Sequence, residues 1–248
     1  MNVSNTLFAA ALLSLFQPVL SAGSNPLELE RLDAALAKEP GSVALLSRRG
    51  DELLFQGRFD EAVRDFERTI AIDPAQDVRH WRLGIAYYFA GKYEQSARQF
   101  AKYHAYDGRD RENGIWKYMA DVRASGRQRA RESMLTYTQF DREPFPSLYE
   151  MFAGKKAPDE VLTELKAKGL PNDGAPTFFG RYYTGVNEAL AGNLPRACEL
   201  VEAAVNNPWG QRAEGGGAYM WRVAKLHLMQ LKIALAKADP PARKLATE

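Results

Sequence analysis

The sequence predicts an all-α protein made of helical hairpins in series, interrupted by an irregular helical insert and closed by a C-terminal capping helix. Three observations point there. Glycines recur at a fixed interval: Gly50 and Gly84 stand 34 residues apart, and so do Gly57 and Gly91. Bulky aromatics keep the same interval, Phe59 with Tyr93 and Phe66 with Phe100. Within each period the apolar residues fall three and four apart, the spacing that lines one face of a helix. A fixed period of this length marks small supersecondary units that bury their faces only against one another.

The elements follow in order. Residues 1–22 have the layout of a secretory signal: an apolar run from Leu7 to Phe16, a break at Pro18, then the small residues Ser21, Ala22 and Gly23. The run is too short to span a bilayer, which takes about 20 residues. Residues 23–42 are expected to form an N-terminal helix with Leu27, Leu32 and Leu36 on one side. Residues 43–139 hold the repeats, two clear and one degenerate. In the first, a helix from Val43 to Phe55 places Gly50 where a second helix approaches, and Gly57 supplies the left-handed turn that ends it. The second helix, Phe59 to Ile72, carries Phe59, Ala62, Val63, Phe66 and Ile70, and Pro74 stops it. The period 77–110 repeats this with Leu83, Ile85, Ala86, Tyr87, Tyr93, Ala97 and Phe100. A looser third unit has Trp116, Tyr118, Met119 and Val122, a break at Gly126, and Met134 and Leu135 expected on a further helix.

Residues 140–177 do not repeat. Prolines 144, 146, 158 and 171 divide this irregular connection into short helices, about 147–152 and 159–167. A late repeat and capping helix occupy 178–238, with Gly185, Gly192, Leu194, Ala197 and Val201 at the offsets of Gly50, Gly57, Phe59, Ala62 and Phe66. The run Gly215-Gly216-Gly217 reads as a loop before a last helix from about Ala218 to Ala236, and 239–248 as a tail. An open-ended stack needs such a helix to cover its final apolar face.

This period and pattern are those of the tetratricopeptide repeat, so the fold expected is a helical-hairpin superhelix. The order of elements over roughly residues 45–235 resembles the NlpI-type family of bacterial envelope lipoproteins. The resemblance rests on the tandem pair ending in Pro74 and Gly108, and on the Trp-centred segment Arg111 to Trp116. It rests also on Pro146 to Gly154 leading into Asp159-Glu160-Val161-Leu162, and on Phe178-Phe179-Gly180-Arg181-Tyr182-Tyr183 opening the late repeat. It implies an adaptor that docks cell-wall hydrolases and an envelope protease, often as a homodimer. The family's lipid anchor is not expected here, because no cysteine follows the apolar run. A periplasmic or secreted protein is the expectation, with tethering by an uncleaved leader as the alternative and no stable membrane insertion once the leader is removed.

Composition narrows the function. With 33 Lys and Arg against 31 Asp and Glu, the net charge is +2, without the basic excess of a nucleic-acid binder. Arg123, Arg127, Arg129 and Arg131 form a short basic run that reads as a solvated helix face. The single cysteine, Cys198, can form no intramolecular disulfide and reads as a small buried hydrophobe. His80, His104 and His227 lack the close spacing of a zinc helix, and no GxSxG, HExxH or P-loop string occurs. No cofactor, metal site or catalytic centre is expected. Adjacent carboxylates such as Asp51-Glu52 and Asp159-Glu160 do not face each other on a helix.

Function is therefore sought in surface geometry. In this repeat the first helix of each hairpin lines the groove at its second, fifth, ninth, twelfth and thirteenth positions. That register selects Ser47, Asp51, Leu54 and Phe55, then Trp81, Ile85, Tyr88 and Phe89, with Trp116 and Tyr182 from the later units. Aromatics beside a few charges anchor peptides and helices well, and Trp81 and Tyr88 are the leading candidates. The function expected is a scaffold or adaptor for protein or peptide partners. Two alternatives stand beside it: a self-associating module using Leu27, Leu32 and Leu36, and an enzyme using Asp141, Glu143 or Glu150 of the 140–177 segment.

Overall fold

The computed structural model describes residues 26–238. The signal segment and the tail fall outside the described residues, within which every regular element is helical. The protein is all-α. It divides into two compact units, residues 26–99 and 100–238 of the described chain.

The first unit begins with α1, Pro26–Lys38, which buries Leu29, Leu32 and Leu36. It packs against α2, Val43–Phe55, whose first turn is capped by Ser42. Gly57 ends that helix at φ 78° and hands the chain to α3, Phe59–Ile72. The hairpin closes tightly at Gly50. A β-carbon there would lie 2.6 Å from Cε1 of Phe66, so the interval of sixteen residues between the two encodes a contact. Arg49 fastens the layers together: its guanidinium donates 2.7 Å hydrogen bonds to both carboxylate oxygens of Asp65 on α3 and to Asp33 on α1. These partners, Asp65 first, stabilise its charged form further.

A 3-10 turn over Pro74–Arg79 follows, with Asp73 accepting from the Ala75 amide. It occupies the start of the second period, so the next helix, α4, is only Trp81–Phe89. His80 caps it, Nδ1 accepting from the Leu83 amide at 3.1 Å while the ring rests on Phe66. The returning α5 spans Tyr93–Tyr106, its residues to Gln99 belonging to this unit. Ser96, where the first hairpin has Ala62, donates its hydroxyl to the Gly84 carbonyl at 2.8 Å.

In the second unit α6, Arg111–Ser125, is capped by Asp110 and followed by α7, Arg127–Glu132. Met134 and Leu135 are not helical. Lys117 Nζ donates to the Ser133 carbonyl at 2.9 Å and the Ser133 hydroxyl donates to Asp121 Oδ2 at 3.0 Å, holding the chain where it leaves the helix. Next come α8, Phe145–Phe152, and α9, Pro158–Ala167, close to the expected short helices. The late hairpin is α10, Ala175–Ala191, with α11, Leu194–Val205, turned by Gly192 at φ 89°. Gly185 repeats the part of Gly50: a β-carbon would lie 2.7 Å from Cγ2 of Val201. After α12, Pro208–Arg212, the last helix α13 runs Gly215–Ala238 and packs on α11. The glycine triplet thus opens a helix instead of forming a loop. Gly217 sits 3.0 Å, by its would-be β-carbon, from the Trp209 ring, so the missing side chain permits close packing.

The closure at Gly50 makes a prediction. Gly50→Ala gains about 0.5–1 kcal/mol of helix propensity but overpacks Phe66, a cost of about 1–3 kcal/mol. Urea denaturation is expected to show net destabilisation for Gly50→Ala and almost none for Gly41→Ala, where the added carbon meets nothing within 4 Å.

Candidate partner-binding face

The ten residues selected by register separate by burial. Leu54, Phe55, Ile85 and Phe89 are buried in the first unit, with the Phe89 ring stacked on Phe59 at 5.5 Å. Trp116 and Tyr182, 1% and 0% exposed, are buried in the second. These six are core residues, which corrects their assignment to a binding surface. In the first unit the register failed at the thirteenth position of both helices, and at the ninth and twelfth wherever an aliphatic stands there. Those side chains fill the space between helices, and apolar residues at such spacings gain more from burial than from exposure.

Ser47, Asp51, Trp81 and Tyr88 remain half-buried. Ser47 and Asp51 are one turn apart on α2, and Trp81 and Tyr88 two turns apart on α4, so each pair shares a helix face. The two helices are tied at this face by Arg82, which donates to Asp51 Oδ2 at 2.7 Å while its guanidinium carbon lies 5.9 Å from the centre of the Trp81 ring. Tyr88 meets Phe89 and Tyr93 edge-on at 5.7 and 5.6 Å. A ring beside a fixed ion pair, with a second aromatic farther along the same helix face, offers apolar contact and directional hydrogen bonding together.

The other sequence candidates lie elsewhere. His80 and His227 are buried, and burial lowers their pKa values to about 4 and about 3. His104 sets its ring edge-on to Tyr137 at 4.8 Å. Cys198 is buried, its thiol pushed up by burial. Glu143 pairs with Lys168 at 2.8 Å and Glu150 with Lys156 at 3.2 Å, while Asp141 accepts from the Arg111 amide at 2.9 Å. Each of the three carboxylates is thus engaged by a partner of its own. Leu32 and Leu36 are buried within the chain, so the self-association surface read from α1 reduces to the exposed Leu27. Among the described residues no group of three or more His, Cys, Asp or Glu is placed to hold a metal ion, and no helix is long and apolar enough to cross a membrane.

One polar cluster escaped the sequence reading. Glu112, buried in the first turn of α6, accepts from the Tyr183 hydroxyl at 2.6 Å and from Arg142 at 2.5 Å, and Trp116 Nε1 donates to the same hydroxyl at 3.0 Å. Burial raises the Glu112 carboxyl to about 7 against the pull of Arg142. Its one signal in the sequence is an acidic residue beside the apolar stripe of Ile115, Trp116 and Met119. No family model matches the chain.

Proposed function

We propose that the protein is a tetratricopeptide-type adaptor that holds a segment of another protein on the α2–α4 face. The observation that carries this reading is the junction of two hairpins 34 residues apart at Asp51–Arg82, with Trp81 half-exposed beside it and Tyr88 two turns along the same face of α4. Support comes also from the paired closures at Gly50 and Gly185, which repeat one hairpin design at both ends of the chain. The arrangement we propose is a repeat superhelix with residues 140–177 as an irregular insert and α13 as its cap. The apolar run from Leu7 to Phe16 in the sequence supports a location in the cell envelope or outside the cell, where hydrolases and proteases of the cell wall are the partners implied by the resemblance.

Affinity capture from envelope extract tests this, with wild type and Trp81→Ala/Tyr88→Ala as paired baits. Truncation of an aromatic anchor costs about 1–4 kcal/mol of binding, so partners held by wild type are expected to weaken at least about tenfold. Helicity by circular dichroism is expected to be unchanged, since both rings are half outside the core. Identical captures by the two baits would refute the face.

A further inference from the structure

The second unit carries a groove that the proposed function does not use. Its two walls are residues 104–110, at the end of α5, and residues 136–142. The larger part measures about 630 Å³ and the smaller about 340 Å³, and both are lined by Asp107 and Arg109, so the two adjoin.

The wall formed after α7 has the character of an edge strand. Residues 134–138 run without helix, turn or bend. Burial alternates along it: Leu135 and Tyr137 are half-buried, Thr136 and Thr138 exposed, the two-residue period of a strand. The inward side is pinned. The Tyr137 hydroxyl donates to the Asp110 carbonyl at 3.1 Å, the Tyr149 hydroxyl donates to the Leu135 carbonyl at 2.7 Å, and the Tyr137 ring lies over the bare backbone of Gly114. The backbone N–H groups of residues 135–140 make no backbone hydrogen bond among the described residues, so the donors along the free edge, every second one in an extended chain, have no backbone partner. Ordered backbone with unpaired donors is a template for another strand.

Two further observations converge on the same groove. Among the described residues the exposed large hydrophobics include just two aromatics, Tyr106 at 57% and Phe140 at 73%, and both border it. Its charge is unequal as well. Three carboxylates, Asp107, Asp110 and Asp141, stand against two cations: Arg109 lies 3.8 Å from Asp107, and Arg142 is engaged with Glu112, Asp110 and Asp141, which leaves the lining net acidic. The C-terminal end of α5, the negative pole of its helix dipole, adds to the acidic side.

We propose that this groove binds an extended segment of another polypeptide carrying a lysine or arginine, added as a strand along residues 135–140. Main-chain hydrogen bonds supply the affinity, Tyr106 and Phe140 grip apolar side chains at the two ends, and the net acidic lining favours the cation. The inference is independent of the α2–α4 face.

The test is fluorescence anisotropy on the full chain, with an end-blocked, labelled hexapeptide alternating valine and threonine with one central lysine. Saturable binding is expected, at least about tenfold weaker when alternate peptide nitrogens are methylated and several-fold weaker when glutamate replaces the lysine. Thr138→Pro removes one edge donor and Phe140→Ala one anchor, and both are expected to weaken binding with an unchanged circular dichroism spectrum. Amide exchange of residues 135–140 is expected to slow when the peptide is added. Trp81→Ala/Tyr88→Ala is expected to bind the probe as wild type does. Absence of saturable binding, indifference to N-methylation, or unchanged exchange at 135–140 overturns the proposal. Loss of the probe in the Trp81/Tyr88 variant alone overturns it too, moving the peptide to the α2–α4 face.

Discussion

Trp116→Ala is expected to lower the free energy of unfolding by about 3–5 kcal/mol, the usual cost of deleting a large aromatic from a core. Trp116 is 1% exposed, nearly parallel to Phe100 at 5.9 Å on one contact and to His227 at 5.8 Å on another. Its indole N–H donates to the Tyr183 hydroxyl, which in turn donates to Glu112. The substitution therefore opens a cavity and removes a donor from a buried chain of hydrogen bonds, two penalties of the same sign. Thermal and urea denaturation check it. A loss below about 1 kcal/mol would mean that Trp116 does not anchor the second unit. The contrast with Trp81→Ala matters: one tryptophan is expected to act on folding and the other on binding.

The second large effect is acid sensitivity through His227. Its ring is buried, Nδ1 lies 2.6 Å from the Tyr182 hydroxyl, and burial lowers its pKa from 6.5 to about 3. A histidine whose folded pKa is depressed contributes stability that is present above the unfolded value and lost as pH falls toward the folded one. Between about pH 7.5 and pH 4.5 the loss is about 3 kcal/mol, since each unit of differential protonation is worth about 1.4 kcal/mol. His80, lowered to about 4, acts in the same direction. Glu112 acts in the other: its raised carboxyl contributes stability that is complete below its ordinary value of 4.5 and lost as pH rises through about 7. Comparing wild type with His227→Asn at each pH cancels both of these. Asparagine keeps an acceptor for Tyr182 and does not titrate, so the variant is expected to lose less stability on acidification, by about that 3 kcal/mol. Parallel pH profiles for the two proteins would contradict the assignment.

Legibility in the sequence followed the range of the forces involved. Val43–Phe55 and Phe59–Ile72 were readable to the residue because their ends are local: Gly57 supplies a left-handed turn and Pro74 follows at the stop. The closures at Gly50 and Gly185 were readable because their partners, Phe66 and Val201, recur at one offset. What was not readable depended on distant chain. Trp116 and Tyr182 resemble surface anchors by register, yet their surroundings come from residues such as Tyr183 and His227, 67 and 45 positions away. The Glu112–Arg142 pair spans 30 positions, and no local pattern announces it. The glycine triplet misled for a related reason. Gly217 is small where the Trp209 ring packs and Gly215 takes a positive φ of 54°, and local composition alone does not distinguish those uses from flexibility.

The α2–α4 face is proposed to hold a protein partner. Site-specific photo-crosslinking in envelope extract tests it most directly, with benzoylphenylalanine placed at Ser47 on the face and, as the control, at Arg68, exposed on α3 away from it. Discrete polypeptide adducts are expected from position 47, absent from position 68 and lost when Trp81→Ala/Tyr88→Ala is added. No adduct at 47, or the same adducts at both positions, would contradict it.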